Sequence, residues 1–276
     1  MTGRRYGGGT LTLEIVMIAI ALVFAFPLYV LVVLSLKSPE EAANSPLSLP
    51  SALSFDNYTA AWEQADLAPA ILSSVVITVV SVAALVVTGA LAAYAIARHT
   101  SHWSGALFAV FLVGLVVPFQ LALIPLYQLV RDAELLGSYW SVILYMVGTE
   151  LPLTVFLYTG FLRAVPRDYE EAAMIDGASQ LRAFRSVVFP LMRPVTGTVI
   201  ILNAIGCWNA FLVPNLFLSG SGRQTIPVAV YSFVGEFATQ WNLVFAGLVI
   251  GMAPILLVYL LLQRRMIRGF ASGLKG

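Results

Sequence analysis

Long apolar runs separated by polar segments dominate the chain. Runs that are long and mainly apolar occupy 15–36, 70–96, 104–128, 139–161, 196–218 and 243–262. Since about 20 apolar residues in a helix cross the hydrocarbon core of a bilayer, the pattern predicts six transmembrane helices. The first run exceeds the roughly 7–15 apolar residues of a signal peptide, so we expect it to be retained as a helix.

Basic residues fall mostly on one side of these predicted spans. With the loops assigned alternately to the two sides, one side holds twelve Lys and Arg residues and the other holds three. The twelve are Arg4, Arg5, Arg98, Arg163, Arg167, Arg182, Arg185, Arg193, Arg264, Arg265, Arg268 and Lys275, and the three are Lys37, Arg131 and Arg223. Under the positive-inside rule, both termini and the tail 263–276 of this multi-pass protein lie in the cytoplasm of a cell, and the acidic loop 37–69 lies outside.

The composition excludes several classes of protein. Hydrophobic residues make up 59% of the chain and charged residues 11%, whereas soluble domains average about 45–50% and about 25%. A lipid bilayer is therefore the expected surrounding. The formal net charge of +1 gives no reason to expect nucleic acid as a partner. The single cysteine, Cys207, cannot form an internal disulfide, and two histidines, His99 and His102, supply too few ligands for a metal site.

Motifs of catalysis are missing from the sequence. It contains no phosphate-binding Gly-x-x-x-x-Gly-Lys-Ser/Thr loop, no His-Glu-x-x-His zinc helix and no Gly-x-Ser-x-Gly nucleophile elbow. We therefore expect that the chain is not an enzyme and binds no cofactor of its own.

The loop 162–195 is far longer than a connection between two helices needs. Its first part runs from Pro166 through several acids to Gly177. This order favours a short helix, with proline and acids at its N-terminus and glycine just after its C-terminus. A second helix is predicted from Ser179, with apolar residues at i, i+3 and i+7, until Pro190 ends it.

Two interpretations of this helix pair remain open. The acids of the first helix, with the basic and apolar residues of the second, can fill a groove in a cytoplasmic partner. Alternatively, Arg182 and Arg185 would favour an amphipathic hairpin lying on lipid headgroups, where the acids would be repelled.

The loop also carries a motif. The run Glu171-Ala-Ala-Met-Ile-Asp176-Gly177-Ala178, followed after eleven residues by Pro190-Leu-Met-Arg-Pro194, resembles the cytoplasmic EAA signature of ATP-binding-cassette importer permeases. Phe189 departs from it, because leucine is usual there. The resemblance implies that the residues coupling the chain to an ATPase are Glu171, Ala172, Ala173, Asp176, Gly177, Ala178, Phe184 and Pro190.

Shorter stretches extend the resemblance over most of the chain and place it nearest the carbohydrate-uptake, maltose-type permeases. They are Phe55-Asp56-Asn57-Tyr58, Pro118-Phe119-Gln120, Gly137-Ser138-Tyr139-Trp140, Trp208-Asn209 and the closing Gly269-Phe270 with Gly273-Leu274-Lys275-Gly276. Ala210 departs from the family, where an acid is common.

The resemblance implies a fold and a set of partners. The fold is an all-α membrane bundle of six transmembrane helices with a cytoplasmic coupling helix pair. The partners are a second homologous permease, two ATPase subunits that hold ATP and Mg, and an extracytoplasmic solute-binding protein. The solute is expected to be a mono- or oligosaccharide. A non-sugar solute, or a stand-alone secondary transporter or channel, is the alternative.

Polar groups within the predicted spans suggest a solute pathway. Glu150 lies near the middle of the fourth span, where a carboxylate is costly unless it faces a cavity or a partner. Sugars bind to such mixtures of carboxylate, amide and aromatic groups. The remaining candidates are Gln120, Asn203, Trp208, Asn209 and Tyr145. Alternatively, the amides bond to neighbouring helices and Trp208 packs in the bundle. The outer segment 219–242 is either re-entrant or external.

Overall fold

The structure is a computed structural model that describes residues 8–99, 101–235 and 239–273. Its helices are α1 (Gly8–Ser35), α2 (Pro39–Asn44), α3 (Asp56–Gln64), α4 (Leu67–Arg98), α5 (His102–Val116), α6 (Leu123–Asp132), α7 (Tyr139–Ala164), α8 (Asp168–Ile175), α9 (Gln180–Ala183), α10 (Phe189–Leu191), α11 (Arg193–Trp208), α12 (Leu212–Phe217), α13 (Ile226–Tyr231) and α14 (Trp241–Gly273). A 3₁₀ turn, Phe119–Ala122, precedes α6, and a π-helical turn, Phe184–Val188, joins α9 to α10. In the described parts, β pairing is limited to an isolated bridge between Val234 and Thr239. The predicted all-α fold is confirmed.

Three predicted spans correspond to single long helices. The spans at 15–36, 70–96 and 139–161 match α1, α4 and α7, which are long and apolar enough to cross a membrane. The last predicted span and the tail as far as Gly273 belong to one helix, α14, whose apolar part is Trp241–Leu257. Arg4, Arg5 and the last three residues of the tail lie outside the described residues.

The other two predicted spans are broken helices. In the predicted span over 104–128, α5 and the segment Phe119–Asp132 meet at an angle of 91°. Val117 is extended there, as expected for a residue that precedes a proline, here Pro118. In the second broken span, at 196–218, α11 ends at Trp208 and α12 begins only at Leu212.

The chain forms two compact units. One combines the N-terminal residues up to Ala68 with Ala229–Ala253, and the other combines Pro69–Val228 with the residues from Pro254 onward. Both candidate sites lie in the second unit.

In the first unit, a buried asparagine holds several segments together. Asn57, which is 5% exposed, donates from its amide to the carbonyls of Ser35 and Lys37 at 2.9 and 2.8 Å and accepts from the Asn242 amide at 2.8 Å. Lys37 is fully buried, and its ammonium donates to the Ser45 carbonyl. Buried polar groups are costly unless bonded, so these contacts give Asn57 in the Phe55–Tyr58 stretch a structural role.

The second unit has two clusters of buried side chains. One, which includes Val142, Met146 and Phe217, packs α7 against parts of α4, α6, α11 and α12. The other includes Tyr158 of α7 and Phe184 of the π-helical turn, together with residues of α4 and α11. The loop after α7 is therefore packed onto the long helices through its own apolar side chains.

The second helix of the loop ends at Leu191, one residue past Pro190, where the prediction placed its end to within a residue. The helical segment Gln180–Leu191 bends by 75° into α11, with the break at Met192. A proline lacks an N–H group but fits the first turn of a helix. Pro190 occupies such a position, because an α-helical segment restarts at Phe189 after the π-helical turn.

A close approach between α4 and α7 depends on Gly89. A Cβ atom placed there would collide with the Thr154 methyl group, and Thr154 is fully buried. Small residues let membrane helices pack closely, so Gly89→Ala should destabilise the extracted protein by about 1–3 kcal/mol through overpacking. Thr154→Ser removes the methyl group but keeps the hydroxyl that Asn203 bonds, so the double variant should recover most of that stability.

Thermal unfolding in detergent is measured for the wild type, Gly89→Ala, Thr154→Ser and the double variant. The four values give the coupling energy between positions 89 and 154. Gly160→Ala on α7 is the control, since nothing lies within 4 Å of its added Cβ. Equal melting temperatures for Gly89→Ala and Gly160→Ala would contradict the proposed close contact.

Candidate functional site

A cavity of about 820 Å³ lies among α5, α6, α7 and the ends of α11 and α12. Both helix breaks line it, through Val117 and Phe119 at one break and Ala210 and Phe211 at the other. Non-helical backbone at membrane depth is tolerated where it is buried in protein or lines a cavity. The two breaks therefore identify this cavity as the expected place for a solute pathway.

Glu150 of α7 is a half-buried carboxylate in the cavity wall. No basic side chain pairs with it in the described chain, where the ion pairs join Arg98 to Glu170 and Arg131 to Asp132. Gly206 of α11 faces the carboxylate, since a Cβ at that glycine would lie 3.1 Å from Glu150 Oε1. The absence of a side chain at Gly206 thus leaves room for the carboxylate.

Further polar and aromatic groups of α7 line the same cavity. Tyr145 and Thr149 contribute a phenol ring and a hydroxyl. The Tyr145 ring lies edge-on to Phe119 and Phe217, with centroids 6.0 and 6.1 Å apart. Pro152 within α7 has no N–H group to bond the carbonyl four residues earlier, at Gly148. The wall therefore offers a carboxylate, a hydroxyl, a backbone acceptor and an aromatic ring.

The other four predicted pathway residues lie elsewhere. Gln120 is exposed in the 3₁₀ turn. Asn203 is fully buried and donates to Thr154 Oγ1 at 3.0 Å. Trp208 lines a second, apolar cavity of about 530 Å³, and Asn209 donates to the Ile205 carbonyl of its own helix at 2.9 Å. Contact of these four with a solute stays a prediction.

Three further residues of this wall were not predicted from the sequence, namely Thr149, Gly206 and Phe211. Thr149 could have been found from its position four residues after Tyr145, which places both on one helix face. The other two come close to Glu150 only through the packing of α11 and α12 on α7, which no local pattern reports.

The second candidate site is the 168–191 helix pair, formed by α8 and the segment Gln180–Leu191. Gly177 has a φ of +85°, its N–H donates to Met174 O, and Ala178 N–H donates to Ala173 O, both at 3.0 Å. These two bonds form a Schellman motif, which favours glycine at the left-handed position. Ser179 then caps the second helix by accepting from Arg182 N–H. The predicted helix, glycine turn and capped helix are confirmed.

Most of the predicted coupling residues lie at the surface of this helix pair. Glu171, Ala172, Asp176 and Gly177 are exposed, whereas Ala173, Ala178 and Pro190 are half-buried. Large apolar side chains accompany them, because Ile175 is 86% and Leu181 is 69% exposed. Apolar side chains with an acidic rim are typical of a surface that binds another protein.

Phe184, also predicted to meet the ATPase, is buried in this chain's own core. It is 8% exposed, and its ring centroid lies 4.9 Å from that of Tyr94 on α4. Its observed contacts therefore fix the helix pair to the long helices.

Two charged residues beneath the helix pair were not among the predicted site residues. Arg98 at the end of α4 and Glu170 of α8 form an ion pair of 2.7 Å, with side chains only 7% and 6% exposed. The sequence alone placed Arg98 among the basic residues of the cytoplasmic side and Glu170 among the acids between Pro166 and Gly177. Only the packing distinguishes Glu170 from its exposed neighbour Glu171.

A match to a known protein family covers the residues of both candidate sites. The family model described as "Binding-protein-dependent transport system inner membrane component" matches residues 85–272, which include the cavity-lining part of α7 and the whole helix pair. A transport permease of this family is a multi-pass membrane protein and works with a binding protein.

Several curated relatives match nearly the whole chain. The chain is 36% identical over 248 residues to the melibiose/raffinose/stachyose import permease protein MelC of Bacillus subtilis, covering 90% of each. It is 33% identical over 256 residues to the probable starch degradation products transport system permease protein AmyC of Thermoanaerobacterium thermosulfurigenes, covering 93% of each. It is 35% identical to the diacetylchitobiose uptake system permease protein NgcG of Streptomyces coelicolor, covering 87% of this chain and 80% of that protein.

A solved structure shares the fold. It is a chain of a bacterial ABC transporter involved in the import of the acidic polysaccharide alginate, which superposes with a TM-score of 0.79 at 18% identity and covers 95% of this chain and 99% of that one. With the family match and the curated relatives, this agreement shows that the chain belongs to the family of inner membrane components of binding-protein-dependent transport systems.

Proposed function

We propose that this chain is the permease subunit of an ATP-driven importer for a mono- or oligosaccharide and forms half of the translocation pathway. The observation that carries the proposal is that relatives named for the transport of sugars or starch products match about nine-tenths of the chain. The groups of the cavity wall support it. Sugar hydroxyls bond to carboxylate, hydroxyl and carbonyl oxygens, and the C–H face of a sugar ring packs on an aromatic ring.

The 168–191 helix pair is the proposed docking surface for a separate ATPase. Its exposed apolar side chains and its acids, Glu171 and Asp176, suit a partner groove lined by apolar and cationic groups. ATP and Mg would bind to that partner, since this sequence contains no phosphate-binding loop.

The complete importer would contain a second homologous permease, two ATPase subunits and an extracytoplasmic solute-binding protein. None of the residues in the most apolar stretch of α1 is buried within the chain, and lipid or the second permease would cover it. Closure of the ATPase pair would move the two helix pairs and switch the cavity between the two sides of the membrane, as alternating access requires.

The first prediction concerns the cavity and tests the proposal. In cells that lack the native gene and express the introduced one, uptake of labelled raffinose, a maltooligosaccharide series and diacetylchitobiose is measured, and the wild-type chain should restore uptake of at least one. Glu150→Gln should reduce this uptake roughly tenfold or more, because a hydrogen bond to a charged group is lost. Gly206→Ala should reduce it less, because its new methyl group crowds the carboxylate.

Gly197→Ala on α11 is the matched control, since nothing lies within 4 Å of its added Cβ, and it should transport normally. Co-purification of the subunits shows whether each variant assembles. If no saccharide is taken up, the proposed solute class is wrong. If Glu150→Gln prevents assembly, its carboxylate serves packing rather than transport.

The second prediction concerns coupling. Gly177→Val should strain the left-handed turn by about 1–2 kcal/mol and tilt the second helix, while Gly177→Asn should be better tolerated because asparagine accepts this conformation more readily. Glu171→Lys reverses an exposed charge. Gly177→Val and Glu171→Lys should leave the chain inserted but reduce ATPase co-purification and transport in proteoliposomes. Wild-type transport with the ATPase still bound would exclude the helix pair as the coupling element.

The third prediction concerns orientation. Cysteines placed at Ser45, Ser221 and Ser179, all exposed, are compared in a Cys207→Ser background. The positive-inside distribution places the first two outside and Ser179 in the cytoplasm. An impermeant thiol reagent should label the first two in intact cells and label Ser179 only after the cells are opened. Labelling at Ser179 in intact cells would reverse the orientation.

A further inference from the structure

Arg98 joins the ends of two long helices. It is the last residue of α4, and its Nη1 donates to the carbonyl oxygens of Leu162 at 3.0 Å and Val165 at 3.2 Å. These carbonyls lie at the end of α7, where the last four have no donor within the helix. A cation is favoured there by the helix dipole. Arg98 therefore holds the ends of α4 and α7 together.

Glu170 is the one buried residue of α8. Its Oε1 lies 2.7 Å from Arg98 Nε. The large apolar residues of α8, Tyr169, Met174 and Ile175, are exposed instead. α8 also contacts α9 and the π-helical turn, and the ion pair is the charged link that joins it to α4.

The second helix of the pair is attached in a different way. Phe184 and Val188 are buried with Tyr94 and Tyr158 in an apolar cluster. Apolar packing is non-directional, whereas an ion pair with additional hydrogen bonds requires a particular distance and direction. Buried ion pairs add little net stability compared with apolar residues. The Arg98–Glu170 pair therefore fixes the distance and direction of α8 from α4, which an apolar contact would not do.

We infer that the Arg98–Glu170 pair is a positioning element of transport, which transmits movement of the 168–191 helix pair to α4 and α7. The inference rests on the proposed function. When the ATPase subunits move α8, the ion pair pulls on the joined ends of α4 and α7, and α7 carries Glu150 in the cavity wall. Without the pair, the ATPase still docks on the exposed residues and hydrolyses ATP, but less of the movement of α8 in each ATP cycle is transmitted to the cavity wall.

The test compares Glu170→Gln with Asp168→Asn in the full importer reconstituted in proteoliposomes. Both variants neutralise an acid in the first turn of α8, but Asp168 is exposed on the docking surface. For each protein, co-purification of the ATPase, ATP turnover and solute transported per ATP are measured. Glu170→Gln should keep the ATPase bound but lower solute transported per ATP by about tenfold. Asp168→Asn should keep the wild-type amount of solute transported per ATP, whatever its effect on ATPase binding.

A second variant separates positioning from stability. Arg98→Met combined with Glu170→Met leaves no unpaired charge in the interior and fills a similar volume, so it should assemble even if Glu170→Gln does not. It lacks the directed bonds to α7 and to α8, so its transport per ATP should stay low.

Normal transport per ATP in the double methionine variant would overturn the inference and leave the pair with a purely structural role. Normal transport per ATP in Glu170→Gln would do the same. These results differ from a failure of the proposed function, in which the wild-type chain itself neither retains an ATPase nor transports a saccharide.

Discussion

The structure depends on one constraint, the need of every backbone N–H and C=O group inside a bilayer for a partner. Long helices such as α4 meet it internally, and α7 does so except where Pro152 leaves the Gly148 carbonyl without its N–H donor. The two interrupted spans do not, since the chain leaves the helix at Val117–Pro118 and again after Trp208. Both interruptions line the cavity that holds Glu150. Irregular backbone, a proline-containing helix and an intramembrane carboxylate therefore occur together, where a cavity makes all three tolerable.

Helix α7 carries both candidate sites. Its middle contributes Tyr145, Thr149 and Glu150 to the cavity, and its last carbonyls bind Arg98, which in turn pairs with Glu170 below the exposed helix pair. Because both sites share this helix, the proposed displacement of its end would alter the cavity wall. In a transporter driven by a separate ATPase, such an element is needed between the docking surface and the solute.

The turn at Gly177 and the end of the second helix near Pro190 were predictable, whereas the burial of Phe184 was not. Gly177 follows from local rules, because only glycine readily adopts the left-handed conformation that ends a helix. Phe184 belongs to the motif, but whether a motif residue faces a partner or its own core is decided by non-local packing. Pro190 was expected to end a helix, and the helix ends one residue later, at Leu191, before a 75° bend.

The sequence by itself determined the class of molecule and its family, because apolar length, helix caps and a contiguous motif are all local properties of the chain. It determined that Glu150 needs a cavity or a partner, since the cost of a carboxylate in hydrocarbon does not depend on the fold. The tertiary structure alone decided which groups surround that carboxylate and which of two adjacent acids, Glu170 and Glu171, is buried. Those outcomes depend on contacts between segments far apart in sequence, such as α4 with α8 and α7 with α11, which no local pattern encodes.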